Sequence, residues 1–190
     1  MATAATHKGC CQVCGHEQKL PGELLSKHGY TVRWGFFSGT CPGSRHLPFE
    51  VSTDLIDGAI ASALSQADDL EKQAADLQRP AIEPMATCRV YRTSQHCQYG
   101  EKPGYVWVKG KIEPRSPWHG MRFVVITDNG REFYVHAAGY NDTERDVATH
   151  NNRQYAESLL KRAAQMRDYA AWQEDRIKDW KPQPLRPIDE

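Results

Sequence analysis

Three thiols and two imidazoles near the start of the chain have the types and spacing of a metal site. Cys11-Gln-Val-Cys14-Gly puts two thiols on one tight turn, with a glycine where the backbone must bend toward the sulfurs. A third thiol follows at Cys41, and His28 and His46 are the nearby imidazoles. A closed tetrahedral zinc site needs four N/S ligands, so the fourth place is a choice. A hairpin over 29–34 and 36–41, turning at Trp34-Gly35, pairs Arg33 with Phe36, Tyr30 with Gly39 and His28 with Cys41. Directly opposed strand residues stand about 4.5–5.5 Å apart at Cα, near enough to share one ion. His28 is therefore the expected fourth ligand. His46, at Cys41-x4-His46, is the alternative, and Cys10 or His16 stand behind both. Buried thiols without a metal are the competing explanation, but a C-x2-C in a segment so poor in apolar residues has few other uses. A redox C-x2-C belongs at the start of a helix that follows a strand, and here a polar run follows the thiols.

The run Cys11-x2-Cys14-Gly, His28-Gly29-Tyr30, Cys41-x-Gly43 and Pro48-Phe49-Glu50 resembles the N-terminus of small uncharacterised proteins of bacteriophages, prophages and plasmids. Arg176-Ile-Lys-Asp-Trp180-Lys-Pro is similar to how such proteins often end. The resemblance covers residues 10–50 and about 155–185. It implies a mobile-element setting. In that pattern the histidine of His-Gly-Tyr recurs, which favours His28. No activity comes with it.

The elements that must position these ligands follow from periodicity. Residues 10–50 form a zinc module whose core is too small to stand alone, so metal binding and folding are coupled. Pro21 suits the first turn of a short helical stretch over 19–27. Residues 53–79 have helix signals: Ser52 or Thr53 as cap, Asp54 and Asp57 at the positive end of the dipole, and Pro80 as the stop. Ile56, Ile60, Ala63, Ala67, Leu70, Ala74 and Leu77 repeat at four and three, which is a coiled-coil seam. Residues 85–140 change to strand period. Strands are expected over 88–92, 105–112, 122–127 and 132–138, with Pro114 and Pro117 in a loop between the second and third. Asp128-Asn129-Gly130 is a hairpin signal, with Asn-Gly suited to a type I′ turn. Residues 143–180 return to helix behind a Thr143-x-x-Asp146 capping box. Their seam is Ala156, Leu159, Ala163, Met166, Ala170, Gln173, Ile177 and Trp180, and prolines 182, 184 and 187 end it.

The expected fold is α+β. It has an N-terminal zinc module, an antiparallel two-helix coiled coil of 53–79 with 143–180, and a small antiparallel sheet of about four strands inserted between the helices. The overhang of the longer helix, with Trp172, Ile177 and Trp180, should bury against the zinc module or a second subunit. A homodimer through the helices is the other use of the seam. Residues 1–9 and 181–190 are expected to be flexible tails.

Composition narrows the function. The 190 residues carry 24 basic and 24 acidic side chains, a balance that argues against non-specific nucleic-acid binding by the whole surface. The balance hides regions: residues 51–84 hold two basic and seven acidic side chains, and residues 85–135 hold eight and four. No apolar run of 18 residues exists, so no membrane span is expected. The stretch after Met1 lacks the apolar core of a secretory signal. A cytoplasmic location is expected, the host cytoplasm if phage-encoded, and the six Cys are then metal-bound or free rather than disulfide-paired.

Two function classes stand beside each other. The first is a non-enzymatic, zinc-stabilised binding protein whose partner is nucleic acid or a host or defence protein. Its candidate surface is one face of the strand 105–112, where Tyr105, Trp107, Lys109 and Lys111 alternate with Val106, Val108 and Ile112. Aromatics stack bases and cations hold phosphates. The second is a small metal-dependent hydrolase or nuclease. His150-Asn151-Asn152 is similar to part of a His-Asn-His nuclease, but it falls within the first turns of a helix rather than on a hairpin. His119, Asp128, Glu132 and His136 are the other polar candidates, and Cys88, His96 and Cys97 have poor spacing for a second metal site. No Gly-rich phosphate loop, nucleophile elbow or H-E-x-x-H is present. A zinc closed by four protein ligands has no open position, so the zinc is expected to be structural.

Overall fold

The computed structural model describes residues 4–32, 35–37, 39–97, 101–118 and 121–188. The fold is α+β, with two long helices and antiparallel sheets. The chain divides into two compact units: residues 1–67 with 164–190, and residues 68–163. None of the described helices is long and apolar enough to cross a membrane.

In the first unit, β1 (His7–Cys10) pairs antiparallel with β2 (Glu17–Leu20), His7 facing Leu20 and Cys10 facing Glu17. On its other side β1 pairs with β9 (Arg186–Pro187). Both stretches expected to be flexible tails therefore carry strand. Arg186 closes the sheet with an ion pair to Glu17 at 2.6 Å. A two-residue strand has no readable alternation; its partner, far away in sequence, decides it. Residues 19–27 form no helix, because Pro21-Gly22 turns the chain after β2 with Gly22 at φ +82°.

β3 (Tyr30–Val32) and β4 (Gly35–Phe37) make the expected hairpin in a register two residues away from the expected one. Val32 faces Gly35, Thr31 faces Phe36, and Tyr30 faces Phe37 instead of Gly39. Arg33 and Trp34 lie outside the described residues. The Cys41 N–H nevertheless donates to the His28 carbonyl at 2.8 Å.

The second unit holds a four-stranded antiparallel meander of β5 (Met85–Arg92), β6 (Gly104–Trp118), β7 (Met121–Thr127) and β8 (Glu132–Val135). A 3₁₀ turn, Ser94–His96, follows β5. The expected loop at Pro114 and Pro117 is instead part of β6, which shifts register between Pro114 and Trp118. An irregularity is where a strand tolerates prolines, which cannot donate to the ladder. The β7–β8 turn spans residues 128–130, with Gly130 at φ +76° and its N–H on the Thr127 carbonyl at 2.8 Å. That is the three-residue form with a left-handed glycine, not the two-residue type I′ turn.

The core of this unit joins Ala86, Cys88, Val90, Ile112, Phe123, Val125, Phe133 and Val135 of the sheet to Val147 and Ala148. The last two lie in α2 (Glu144–Ile177). Its start is a reciprocal capping box: the Thr143 N–H donates to Asp146 Oδ2 at 2.9 Å, and the Asp146 N–H donates to Thr143 Oγ1 at 3.3 Å. The Thr143 bonds hold the Asp146 carboxyl below its ordinary range. α1 (Ile56–Leu77) starts three residues later than the expected start at 53. Of the expected seams, Ile56, Ala63, Ala67, Ala74, Ala156, Leu159, Ala163, Ala170 and Gln173 are buried and the other members are half-buried. Within the second unit, Leu70, Ala74 and Leu77 pack with Tyr155, Ala156 and Leu159 in one apolar cluster.

Of the triplet His150-Asn151-Asn152, the two asparagines serve the backbone, and His150 contacts the Gln154 amide at 3.0 Å. Asn152 accepts the Thr87 N–H at 3.0 Å and donates to the Met85 carbonyl at 3.1 Å. Asn151 is buried and donates to the Val147 carbonyl at 2.8 Å.

Candidate metal centre

Cys11, Cys14, His28 and Cys41 converge in the first unit, with their ligand atoms all within 4.8 Å of one another. They are close enough to hold a metal ion. Cys11 Sγ stands 3.7 Å from Cys41 Sγ, and Cys14 Sγ stands 3.6 Å from His28 Nε2. Cys11 and Cys41 are buried, Cys14 and His28 half-buried. His46 is exposed and outside the group; its backbone carbonyl accepts the Leu25 N–H. His16 is exposed as well. The Cys10 thiol is pushed up to about 11 by burial and then by Glu50, whose carboxylate also takes the Cys10 N–H at 2.9 Å.

The loop carrying Cys11 and Cys14 is a knuckle. The Gly15 N–H donates to the Cys11 carbonyl at 2.9 Å, and Gly15 has φ +71°, a conformation that side chains rarely adopt. Backbone N–H groups face the sulfurs: those of Val13 and Cys14 at Cys11, that of His16 at Cys14, and that of Gly43 at Cys41. Among the three thiols Cys11 is held down by hydrogen bonds from Cys14 and Cys41, and the same contacts push Cys14 and Cys41 up. One thiolate is thus favoured among three close thiols, and a divalent cation would let all three ionise.

His28 is aimed by its neighbours. Its Nδ1 lies 2.8 Å from the Ser26 carbonyl, which can only accept, so Nδ1 carries the proton and Nε2 presents its lone pair toward Cys14. Ser44 Oγ accepts the His28 N–H and donates to the His28 carbonyl, both at 3.1 Å.

Gly43, the glycine of Cys41-x-Gly43, has a strict steric reason. A Cβ built there would lie 2.2 Å from Cys11 Sγ. Gly43→Ala must displace the Cys11 sulfur. We expect at least a tenfold loss of metal affinity in a chelator competition, a size typical of disturbed support around a metal. Unchanged affinity would mean that Cys11 is not a ligand.

Polar residues that spacing could not single out hold the knuckle from outside. Gln12, fully buried between the two ligands, donates to the Leu47 carbonyl and to Asp54 at 2.9 Å and accepts the Leu55 N–H just before α1. From the C-terminal part of α2, Tyr169 donates to the Val13 carbonyl at 2.9 Å. Gln173, also fully buried, donates to the carbonyls of Gln12 and Val13 at 3.1 and 3.0 Å. Arg176 donates to the Gln12 carbonyl at 2.7 Å and the Cys11 carbonyl at 3.4 Å. The expected helix overhang packs only in part on the module that carries the cluster: Ile177 and Trp180 are half-buried, and Trp172 stays exposed. Trp180 Nε1 donates to the Phe49 carbonyl at 2.9 Å, and a Cβ on Gly15 would touch the Trp172 ring at 2.9 Å.

The other candidates do not converge. Cys88 is in the sheet core, where burial pushes its thiol up to about 12, and Cys97 donates to the Thr93 carbonyl. The side chain of His96 and all of His119 lie outside the described residues. Glu132 is ion-paired with Arg115 at 2.7 Å, and Asp128 and His136 are exposed. On β6, Tyr105, Trp107, Lys109 and Lys111 face outward, while Val106, Val108 and Ile112 pack against the core. Lys111 reaches Glu113 at 3.1 Å, and the Trp107 ring lies 4.9 Å from that of Tyr155. Comparison with family models, with curated proteins and with solved structures returns no match to this chain.

Proposed function

We propose that the chain is a non-enzymatic, zinc-stabilised protein that binds single-stranded nucleic acid on the open face of its four-stranded sheet, in a mobile-element setting. The observation that carries the binding reading is the outward row of β6. Tyr105 is 66% exposed, Arg89 lies over its ring at 4.6 Å, and the Tyr91 ring meets it edge-on at 5.3 Å. The core does not need these rings, since the opposite row of the same strand fills it. Stacking rings beside cations are the means by which sheets hold unpaired bases.

Zinc as the metal is supported by the donor set and its spacing. Bonds of about 2.3 Å to sulfur and 2.0–2.1 Å to nitrogen at tetrahedral angles give S···S and S···N edges of roughly 3.8 and 3.6 Å. The two short edges of this cluster are 3.7 and 3.6 Å. Four protein ligands make the ion a structural one. The apolar cluster of Leu70, Ala74 and Leu77 with Tyr155, Ala156 and Leu159 supports reading the helices as an antiparallel coiled coil.

The test is fluorescence anisotropy with a labelled single strand over a salt series. Tyr105→Ala should weaken binding by about 1–3 kcal/mol. Lys109→Ala should flatten the log–log salt dependence by about 0.7, the value for one phosphate contact on a single strand. Lys111→Ala should do less, because Glu113 already engages Lys111. Absence of binding at low salt would sink the nucleic-acid reading and leave the same face to a host or defence protein.

A further inference from the structure

The N–H groups that hold the Cys11 sulfur belong to two peptide units, Gln12–Val13 and Val13–Cys14. The carbonyl ends of those same two peptides are the Gln12 and Val13 oxygens, and both accept hydrogen bonds from α2. Arg176 and Gln173 donate to Gln12; Tyr169 and Gln173 donate to Val13. Each peptide thus carries a donor on its oxygen and a sulfur on its hydrogen. Hydrogen bonds in such a chain polarise one another and strengthen.

Arg176 adds charge to this arrangement. Its guanidinium is half-buried, 4.0 Å from the Phe49 ring and 4.5 Å from the Trp172 ring. Its donors go to the Cys11 and Gln12 carbonyls and to Gln173 Oε1. Among the described residues it pairs with no carboxylate. A guanidinium stays ionised, and a buried one needs an opposite charge nearby. Three thiolates, one neutral imidazole and a divalent ion leave one net negative charge at the cluster.

We infer that Arg176 is a positioning residue for the metal centre. Through the Gln12–Val13 peptide it strengthens the hydrogen bonding to Cys11 Sγ, and its charge offsets the net negative charge of the loaded cluster. Gln173 and Tyr169 carry the same support to the Val13–Cys14 peptide without charge. The inference rests on the metal reading above and gives Arg176 a role in it.

The full-length chain loaded with Co²⁺ and then titrated with Zn²⁺ tests it. Wild type should show thiolate-to-cobalt charge-transfer bands; their absence would sink the metal reading itself. Arg176→Gln should lower Zn²⁺ affinity ten- to a hundredfold, the usual effect of removing an outer support. It should also move the band to lower energy, because a less stabilised sulfur gives up its electrons more readily. Arg176→Lys keeps the charge but not the fork or the ring contacts, so it should lose less affinity than Arg176→Gln. Unchanged affinity in Arg176→Gln would overturn the inference, and so would equal losses in the glutamine and lysine variants, which would mark a packing role. Should Arg176→Gln fail to fold, Tyr169→Phe decides. It removes one donor to the Val13 carbonyl, and a band that does not move would refute the relay.

Discussion

Removal of the metal with a strong chelator should unfold the first unit. Its apolar cluster has four buried members, Cys11, Leu20, Leu25 and Cys41, and two of these belong to the candidate metal cluster. Without the ion, those two sulfurs become a cluster of close thiols in which only one ionises readily. Structural zinc contributes an apparent 10–16 kcal/mol to zinc-finger peptides, more than the total stability of most domains. Elemental analysis should return about one zinc per chain. His28→Ala should lose the metal and expose residues 10–50 to limited proteolysis. His46→Ala should do neither, since His46 is exposed and outside the cluster. Because thiolates must be deprotonated to bind, affinity should fall as pH falls. A chelated protein with wild-type proteolytic resistance would rule out a structural ion, and loss of metal in His46→Ala would move the fourth ligand there.

In the second unit the largest expected loss is at Gly110. It sits on β6 opposite Thr127, and a Cβ there would lie 2.1 Å from the Ile126 carbonyl oxygen and 2.6 Å from its carbon. A backbone carbonyl inside a ladder has nowhere to go, so β6 and β7 must separate. Gly110→Ala should cost about 3 kcal/mol, the upper part of the overpacking range. For a chain of this size that is a fall of about 6–12 °C in Tm. Gly58 is the control. It lies in α1 with nothing within 4 Å of a built Cβ, so Gly58→Ala should stabilise by about 0.5–1 kcal/mol. A Tm in Gly110→Ala within a degree of wild type would show that the two strands are not held together as described.

What could be read in advance was local. Cys11, Cys14 and Gly15 lie on one turn, and the seams of both helices repeat over many residues, so spacing alone exposes them. The cysteines and His28 drawn together by spacing are those that the fold brings within 4.8 Å. The hairpin register lies two residues from the one that would oppose His28 to Cys41, yet the backbone bond between His28 and Cys41 forms. Pairings decided at a distance were illegible: β1 with β9, and the strand through Pro114. So were Gln12 and Arg176, which resemble solvated side chains until the partner backbone is present. Gln173 was placed on the seam by period alone, and its amide gains a reason only from the Gln12 and Val13 carbonyls.

Asn152 bears on how other chains can approach the sheet. β5 is a terminal strand, and its outer backbone groups would otherwise offer a template for strand addition by a peptide or a second copy. The amide of Asn152 occupies the Thr87 N–H and the Met85 carbonyl, and Thr149 takes the Ala81 N–H shortly before the strand begins. A helix side chain thus ends the ladder as an extra strand would, without exposing a further edge. Growth of the sheet into a larger assembly is blocked at the start of β5, and a partner that engages Met85 or Thr87 must lie across their side chains, not alongside their backbone.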